Sequence, residues 1–194
     1  MARASKKSEI VEAAAYLFST KGYHATTVRD IAERAGILSG SLYAHIDNKE
    51  ALLREIVKQA ANQFMSAVQP IVDSDRPIAA KLTDAVKAHV GVVTNSLAGA
   101  RIYLDEEATF TNEGRQEFLA LRRAYENLWA RLIEQGVQQS VFWIEDPHLA
   151  RLLVLSALNG IHRWYRTEGR LTPEVIASRY SSWLLRLLQP AMPN

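Results

Sequence analysis

The sequence predicts an all-α fold of nine helices. A short helix-turn-helix domain over residues 1–47 precedes a larger helical domain over residues 48–194. Three observations carry this. Apolar residues recur at helical spacing along nearly the whole chain. Helix start and stop signals punctuate that pattern at regular intervals. No segment shows the sustained alternation of a half-buried strand.

The elements follow in order. Ile10, Ala14, Leu17 and Phe18 make one stripe, and Gly22 ends it as a left-handed cap does. Thr27 and Asp30 have the spacing of a capping box. Val28, Ile31, Ala32 and Ala35 then face inward until Gly36. A two-turn helix follows from Ser39 to His45. Asp47 and Glu50 suggest a second capping box, opening a helix to about Val68. The stretch QPIVDSDRP, with two prolines, predicts a break. A helix from about Ile78 to Leu97 comes next, interrupted by AGAR before a shorter one around Ile102 to Phe110. TNEG starts a long amphipathic helix ending near Gly136. Asp146 with Pro147, and Thr172 with Pro173, are start signals for helices to about Arg166 and Leu188.

The short third helix poses a question of packing. GILSGSLYAHIDNKEAL places Ser39, Gly40 and Ser41 at its start, although glycine costs about 1 kcal/mol against alanine in a helix. Small residues suit a helix that must approach a partner closely. Two short helices joined by a tight glycine-containing turn form a helix-turn-helix, whose second helix enters a DNA major groove about 12 Å wide. Leu42 and Ile46 can pin that helix from behind. Tyr43 and Lys49 can reach phosphates, and Thr27 can add a hydroxyl or amide contact to its capping role. Lys49 alone would read as a solvated charge, and Tyr43 as a packing residue. Arg29 is placed either to pair with Glu33 or to contact a base. Arg3, Lys6 and Lys7 form either a tail or a minor-groove arm.

The stretches AAAYLFSTKGYHATT and TTVRDIAERAGILSGSLYAHIDNKEALL resemble the DNA-binding region of the TetR family of bacterial transcriptional regulators. The resemblance implies a third helix that reads the operator, with Ser39, Gly40, Ser41 and His45 facing the groove. It implies Tyr43 and Lys49 on the DNA backbone and Arg29 within reach of a base. Ala44 and Ile46 stand where the family often has aromatic residues. The resemblance also implies a C-terminal ligand-binding domain and a homodimer through the last two helices. Ile176, Tyr180, Trp183, Leu184, Leu187 and Leu188 give the final helix a broad apolar face. Leu152, Leu155, Leu158 and Ile161 do the same for the preceding one, with Ser156, Ala157 and Gly160 among them.

GIHRWYRTEGRLTPEVIA, with GILSGSLY, resembles TetR regulators of fatty-acid and acyl-CoA metabolism. An acyl-CoA effector is therefore expected. Its pocket would be lined by Phe64, Val93, Arg101, Tyr103, Phe110, Leu121, Tyr125, Trp129, Asn159 and Arg163, with Arg101, His162 and Arg163 meeting an anionic head group. The acidic run Asp105, Glu106 and Glu107 suggests instead a cationic lipophile and an efflux-type regulator. A helical small-molecule binder without DNA function is a further alternative.

Composition narrows the classes. A net charge of +2 confines any DNA contact to a local basic surface. The absence of cysteine excludes a disulfide framework and fits a reducing compartment. No apolar run approaches the ~20 residues that span a membrane, and the start lacks the pattern of a signal peptide, so a cytoplasmic protein is expected. Its five histidines lack close metal-ligand spacing, and it has no glycine-rich phosphate loop. Neither an enzyme nor a cofactor- or metal-dependent protein is expected. The expected partners are a double-stranded operator, a small-molecule effector and a second copy of the chain.

Overall fold

The computed structural model describes residues 6–105 and 109–189, and those residues hold ten helical segments and no strand. They are α1 (Lys6–Lys21), α2 (Val28–Arg34), α3 (Ser39–Leu42), α4 (Lys49–Val72), α5 (Ile78–Asn95), α6 (Leu97–Asp105), α7 (Asn112–Gln138), α8 (Pro147–Asn159), α9 (Ile161–Trp164) and α10 (Pro173–Leu188). The tenth segment arises because the helix expected to start at Pro147 is made in two pieces. Gly160 closes α8 and opens α9 with a right-handed helical backbone, φ −64° and ψ −17°. Taken as one, α8 and α9 restore the nine helices expected.

Two compact units divide the chain. One runs to residue 61 and takes in residues 98–120; the other holds residues 62–97 and those from 121 onward. Within the first, α2 packs against α1 and α3. Ile10, Ala14, Phe18, Ile31 and Leu42 are buried there. Within the second, α5 packs against α8, α9 and α10. Leu82, Ala85, Val86, Val90 and Val93 of α5 are fully buried.

Several element boundaries differ from expectation, each for a local reason. Lys6 and Lys7 lie within α1; Arg3 lies outside the described residues. Lys6 Nζ bonds Glu9 at 2.6 Å and the Ala35 carbonyl at 3.1 Å. α4 is opened by Asn48 rather than Asp47, because the Asn48 side-chain oxygen accepts the Ala51 amide at 2.8 Å. α4 also continues through Pro70 to Val72, where Val68 and Val72, one turn apart, are both buried. The buried Lys81 donates to the Val72 carbonyl at 2.9 Å and satisfies a helix end that would otherwise lack a partner. AGAR does not break helix, since α6 has already begun at Leu97 after a kink at Ser96.

The sequence places the end of α7 near Gly136; the helix runs on to Gln138, and Ser140 turns the chain with φ +56°. Gly136 serves close approach instead. A Cβ built there would lie 2.0 Å from the Phe142 ring. The Phe142 amide returns to the Gly136 carbonyl at 3.0 Å, locking the ring over the glycine.

Gly136→Ala should therefore lower the unfolding free energy by about 1–3 kcal/mol, the usual range for overpacking a filled core. Urea denaturation reads this directly, and an unchanged midpoint and slope would show that the loop yields without cost.

Candidate DNA-binding surface and effector site

The first unit builds its turn from two terminators and one cap. Gly22 takes φ +90° and its amide reaches the Phe18 carbonyl at 3.1 Å, ending α1. Thr27 and Asp30 complete the predicted capping box at α2: Asp30 N bonds Thr27 Oγ1 at 3.1 Å and Thr27 N bonds Asp30 at 2.8 Å. Lys21 adds an ion pair to Asp30 at 2.6 Å. α2 ends in a Schellman motif, with Gly36 at φ +65°, its amide on Glu33 and the Ile37 amide on the Ala32 carbonyl. These contacts fix the angle at which the chain enters α3.

α3 is shorter than the two turns expected, a single turn of Ser39–Leu42 followed by turns to His45. Leu42 and Ile46 are buried beneath it, as expected. Ser39, Gly40, Ser41, Tyr43, Ala44 and His45 are all exposed on the outer side. Tyr43 is 60 % exposed, which rules out a packing role within the described chain. Leu38, just before the helix, is 80 % exposed and makes no side-chain cap, although nothing in its apolar character signals this. Thr27 and Arg29 are exposed, and no ion pair joins Arg29 to Glu33 among the described residues.

Lys49 is neither a solvated charge nor free of the protein. Its ammonium donates to the carbonyls of Tyr23 at 2.8 Å and Thr26 at 3.0 Å. It also sits 4.2 Å from the centre of the Tyr23 ring, within cation–π range. An ammonium has three donors, so one remains. Burial pushes the Tyr23 hydroxyl above its ordinary range, and the charge of Glu50 acts the same way.

The residues expected to line an effector pocket fall into both units. Arg101, Tyr103 and Phe110 belong to the first, where Tyr103 and Phe110 pack on Phe118 at ring-centroid distances of 6.0 and 5.5 Å. Phe64, Val93, Leu121, Tyr125, Trp129, Asn159 and Arg163 belong to the second. Phe64, Val93, Tyr125 and Trp129 are buried there, Leu121 and Asn159 are half-buried, and Arg163 is exposed. His162 is buried and its Nδ1 bonds the Asn159 carbonyl, which draws it away from any surface head group. Asp105 lies in α6; Glu106 and Glu107 lie outside the described residues.

By sequence alone His89 of α5 is one of five histidines without metal-ligand spacing. It is fully buried against Phe64, Tyr125 and Trp129, with ring centroids 4.9, 6.0 and 6.1 Å away. Nδ1 lies 2.8 Å from the Tyr125 hydroxyl. Desolvation lowers its pKa to about 3, outweighing the opposite pull of the Leu158 carbonyl, so the imidazole is neutral. No group of three or more His, Asp or Glu among the described residues is arranged to hold a metal.

The apolar faces of the late helices are divided. Leu155, Leu158, Ile161, Ile176, Leu184 and Leu188 point into the core. Leu149, Leu152, Leu153, Trp164, Trp183 and Leu187 point outward, from 42 to 60 % exposed. Tyr180 bridges the exposed aromatics, 6.5 Å from Trp164 and 5.7 Å from Trp183.

Residues 10–56 match the family model for bacterial regulatory proteins of the tetR family, and residues 75–188 match that for a tetracyclin repressor-like C-terminal domain. The chain belongs to the TetR family. Like other members it is a DNA-binding transcriptional regulator with an N-terminal helix-turn-helix. It is 34% identical over 185 residues to the HTH-type transcriptional repressor KstR2 of Rhodococcus jostii, covering 94% of this chain and 91% of that protein. The ketosteroid transcriptional regulator KstR2 of Mycobacterium tuberculosis superimposes with a TM-score of 0.90 at 28% identity, over 97% of both chains. AibR, solved with isovaleryl coenzyme A and operator DNA, has a TM-score of 0.85 at 27% identity, over 97% of this chain and all of that one. No helix among the described residues of this TetR member is long and apolar enough to cross a membrane.

The capping box makes the TetR head sensitive to acid. The bond from Lys21, then that from the Thr27 amide, lowers the Asp30 carboxyl from 3.8 to about 2. A depressed folded pKa means the stabilisation is complete above the unfolded value and is lost as pH falls through the folded one. The stability gap between the wild type and Asp30→Asn should therefore be widest near neutrality and close between about pH 4 and pH 2. Denaturation across that range checks it; a gap independent of pH would mean the carboxylate charge contributes nothing.

Proposed function

We propose that the chain is a ligand-responsive repressor that binds a pseudo-palindromic operator as a homodimer and is released by an acyl-CoA. The observation that carries the DNA reading is the α3 surface: small exposed residues at Ser39, Gly40 and Ser41, backed by buried Leu42 and Ile46 and flanked by the exposed Tyr43. In this reading Ser39, Gly40, Ser41 and His45 face the groove and Arg29 reaches a base. Thr27, Tyr43 and the third proton of Lys49 hold phosphates. Two such heads must meet major grooves about 34–36 Å apart. The names of KstR2 as a repressor and of AibR with isovaleryl coenzyme A and operator DNA support both halves of the proposal.

The outward row of Leu149, Leu152, Leu153, Trp183 and Leu187 supplies the dimer face. The effector occupies the second unit beside Phe64, Tyr125 and Trp129, with Arg163 offered to its phosphates. Regulation in the cytoplasm, with no enzymatic step, fits a family of transcriptional regulators. Effector binding shifts the population only by its differential affinity for the free and DNA-bound forms.

Tyr43→Phe and Lys49→Ala should weaken binding to operator and random DNA alike, because both contacts are to phosphate. Lys49→Ala should also reduce the slope of log affinity against log salt by about one unit. Gel shift across a salt series measures this, and an unaltered slope returns Lys49 to its carbonyl-bonding role alone.

Trp183→Glu with Leu187→Glu places charges in the dimer face, which is costly unless they are paired. Sedimentation should show a monomer with lowered operator affinity. A dimer of undiminished strength would move the interface to another face.

A further inference from the structure

The second unit contains three buried side-chain atoms without a hydrogen-bond partner among the described residues, on His89, Trp129 and Gln135, and two of them lie in one aromatic cluster. Trp129 and His89 are both fully buried, and neither Trp129 Nε1 nor His89 Nε2 has a hydrogen-bond partner among the described residues. The Leu158 carbonyl acts on the imidazole without completing a bond to Nε2. Such an orphan atom is costly in a core, and native proteins hold few of them. Here two share one cluster with Phe64 and Tyr125.

Their chemistry defines the missing partner. An indole N–H donates and cannot accept. The imidazole is neutral, and when the Tyr125 hydroxyl donates to Nδ1 the ring proton sits on Nε2, giving a second donor. Neither group brings charge to the site, so an anion would enter at the full cost of desolvation. The surrounding rings favour an apolar body. What fits is a neutral oxygen acceptor carried on an apolar chain.

We infer that Trp129 and His89 form a subsite for a carbonyl oxygen in the acyl part of the effector. The inference rests on the proposal that the effector is an acyl-CoA and adds which atom of it the core recognises. Two carbonyls qualify: the thioester oxygen and a keto group further along the chain.

Three probes test it by calorimetry on the full-length protein: decanoyl-CoA, 9-oxodecanoyl-CoA, and the thioether S-decyl-CoA, which has no acyl oxygen. The carbonyl ligand should bind about tenfold tighter than the thioether, and Trp129→Phe should bring that ratio to about one, whatever it does to the affinity of both. A margin for the 9-oxo compound alone assigns the chain oxygen; equal margins for both carbonyl ligands assign the thioester. Equal affinity for all three, or a margin that survives Trp129→Phe, overturns the subsite while leaving the acyl-CoA reading intact. If none of the three binds, the acyl-CoA reading fails, and a second measurement judges the cluster without ligand. His89→Leu with Tyr125→Phe removes both partners of the 2.8 Å bond together with the orphan Nε2. A subsite held at the expense of stability predicts an equal or higher Tm for this pair. A marked fall in Tm would show the cluster to be structural and overturn the inference.

Discussion

The ammonium of Lys49 reaches back to the carbonyls of Tyr23 and Thr26, so the first residue of α4 is tied to the loop between α1 and α2. That loop would otherwise hold carbonyls with no helical partner. The same loop carries Thr27, whose capping box starts α2, and α2 in turn sets the entry to α3 through Gly36. A single side chain thus connects the helix that leaves the DNA-binding head with the turn that orients it. Because the ammonium is held by backbone oxygens and a ring face, its remaining proton is presented from a fixed point. A lysine side chain is ordinarily a flexible point charge; at Lys49 two backbone carbonyls and a ring face remove that flexibility.

The other unit repeats the device and then departs from it. Lys81, buried in α5, caps the Val72 carbonyl at the end of α4. Both lysines satisfy backbone acceptors where side chains of ordinary caps are absent. A few positions along the same helix, His89 leaves part of its capacity unused. A fold that gives the buried ammonium of Lys81 a backbone acceptor has the means to pair an imidazole. The unpaired ring nitrogens of His89 and Trp129 accordingly mark the place where a binding function is most economically sought, since real proteins break the rules of local consistency chiefly at functional sites.

Much of this was legible in the sequence. The helical class, the Thr27–Asp30 box, the stop at Gly22, and the Asp146 and Thr172 starts are local features whose cause lies within four residues. The apolar spacing of Leu42 and Ile46 revealed the hidden side of α3, and hence its exposed side. What the sequence did not disclose was non-local. Lys49 meets carbonyls more than twenty residues away, and Lys81 overrides the proline signal at the end of α4. Periodicity could not divide the last helices into core and outward apolar rows, because both rows carry leucine and tryptophan at compatible spacing. His89 looked inert for the same reason: only the packing of Phe64, Tyr125 and Trp129 around it shows that it is dry.

The seating of Phe142 on Gly136 bears on how this chain can diverge from its relatives. A glycine in mid-helix is individually unfavourable, and a phenylalanine in a loop is individually unremarkable, yet each is tolerated because of the other. In a lineage, the aromatic ring must shrink before the glycine can acquire a side chain. The reverse order passes through a clash. The two positions should therefore change as a correlated pair across TetR proteins that share this loop, with a side chain at 136 accompanied by a smaller residue at 142.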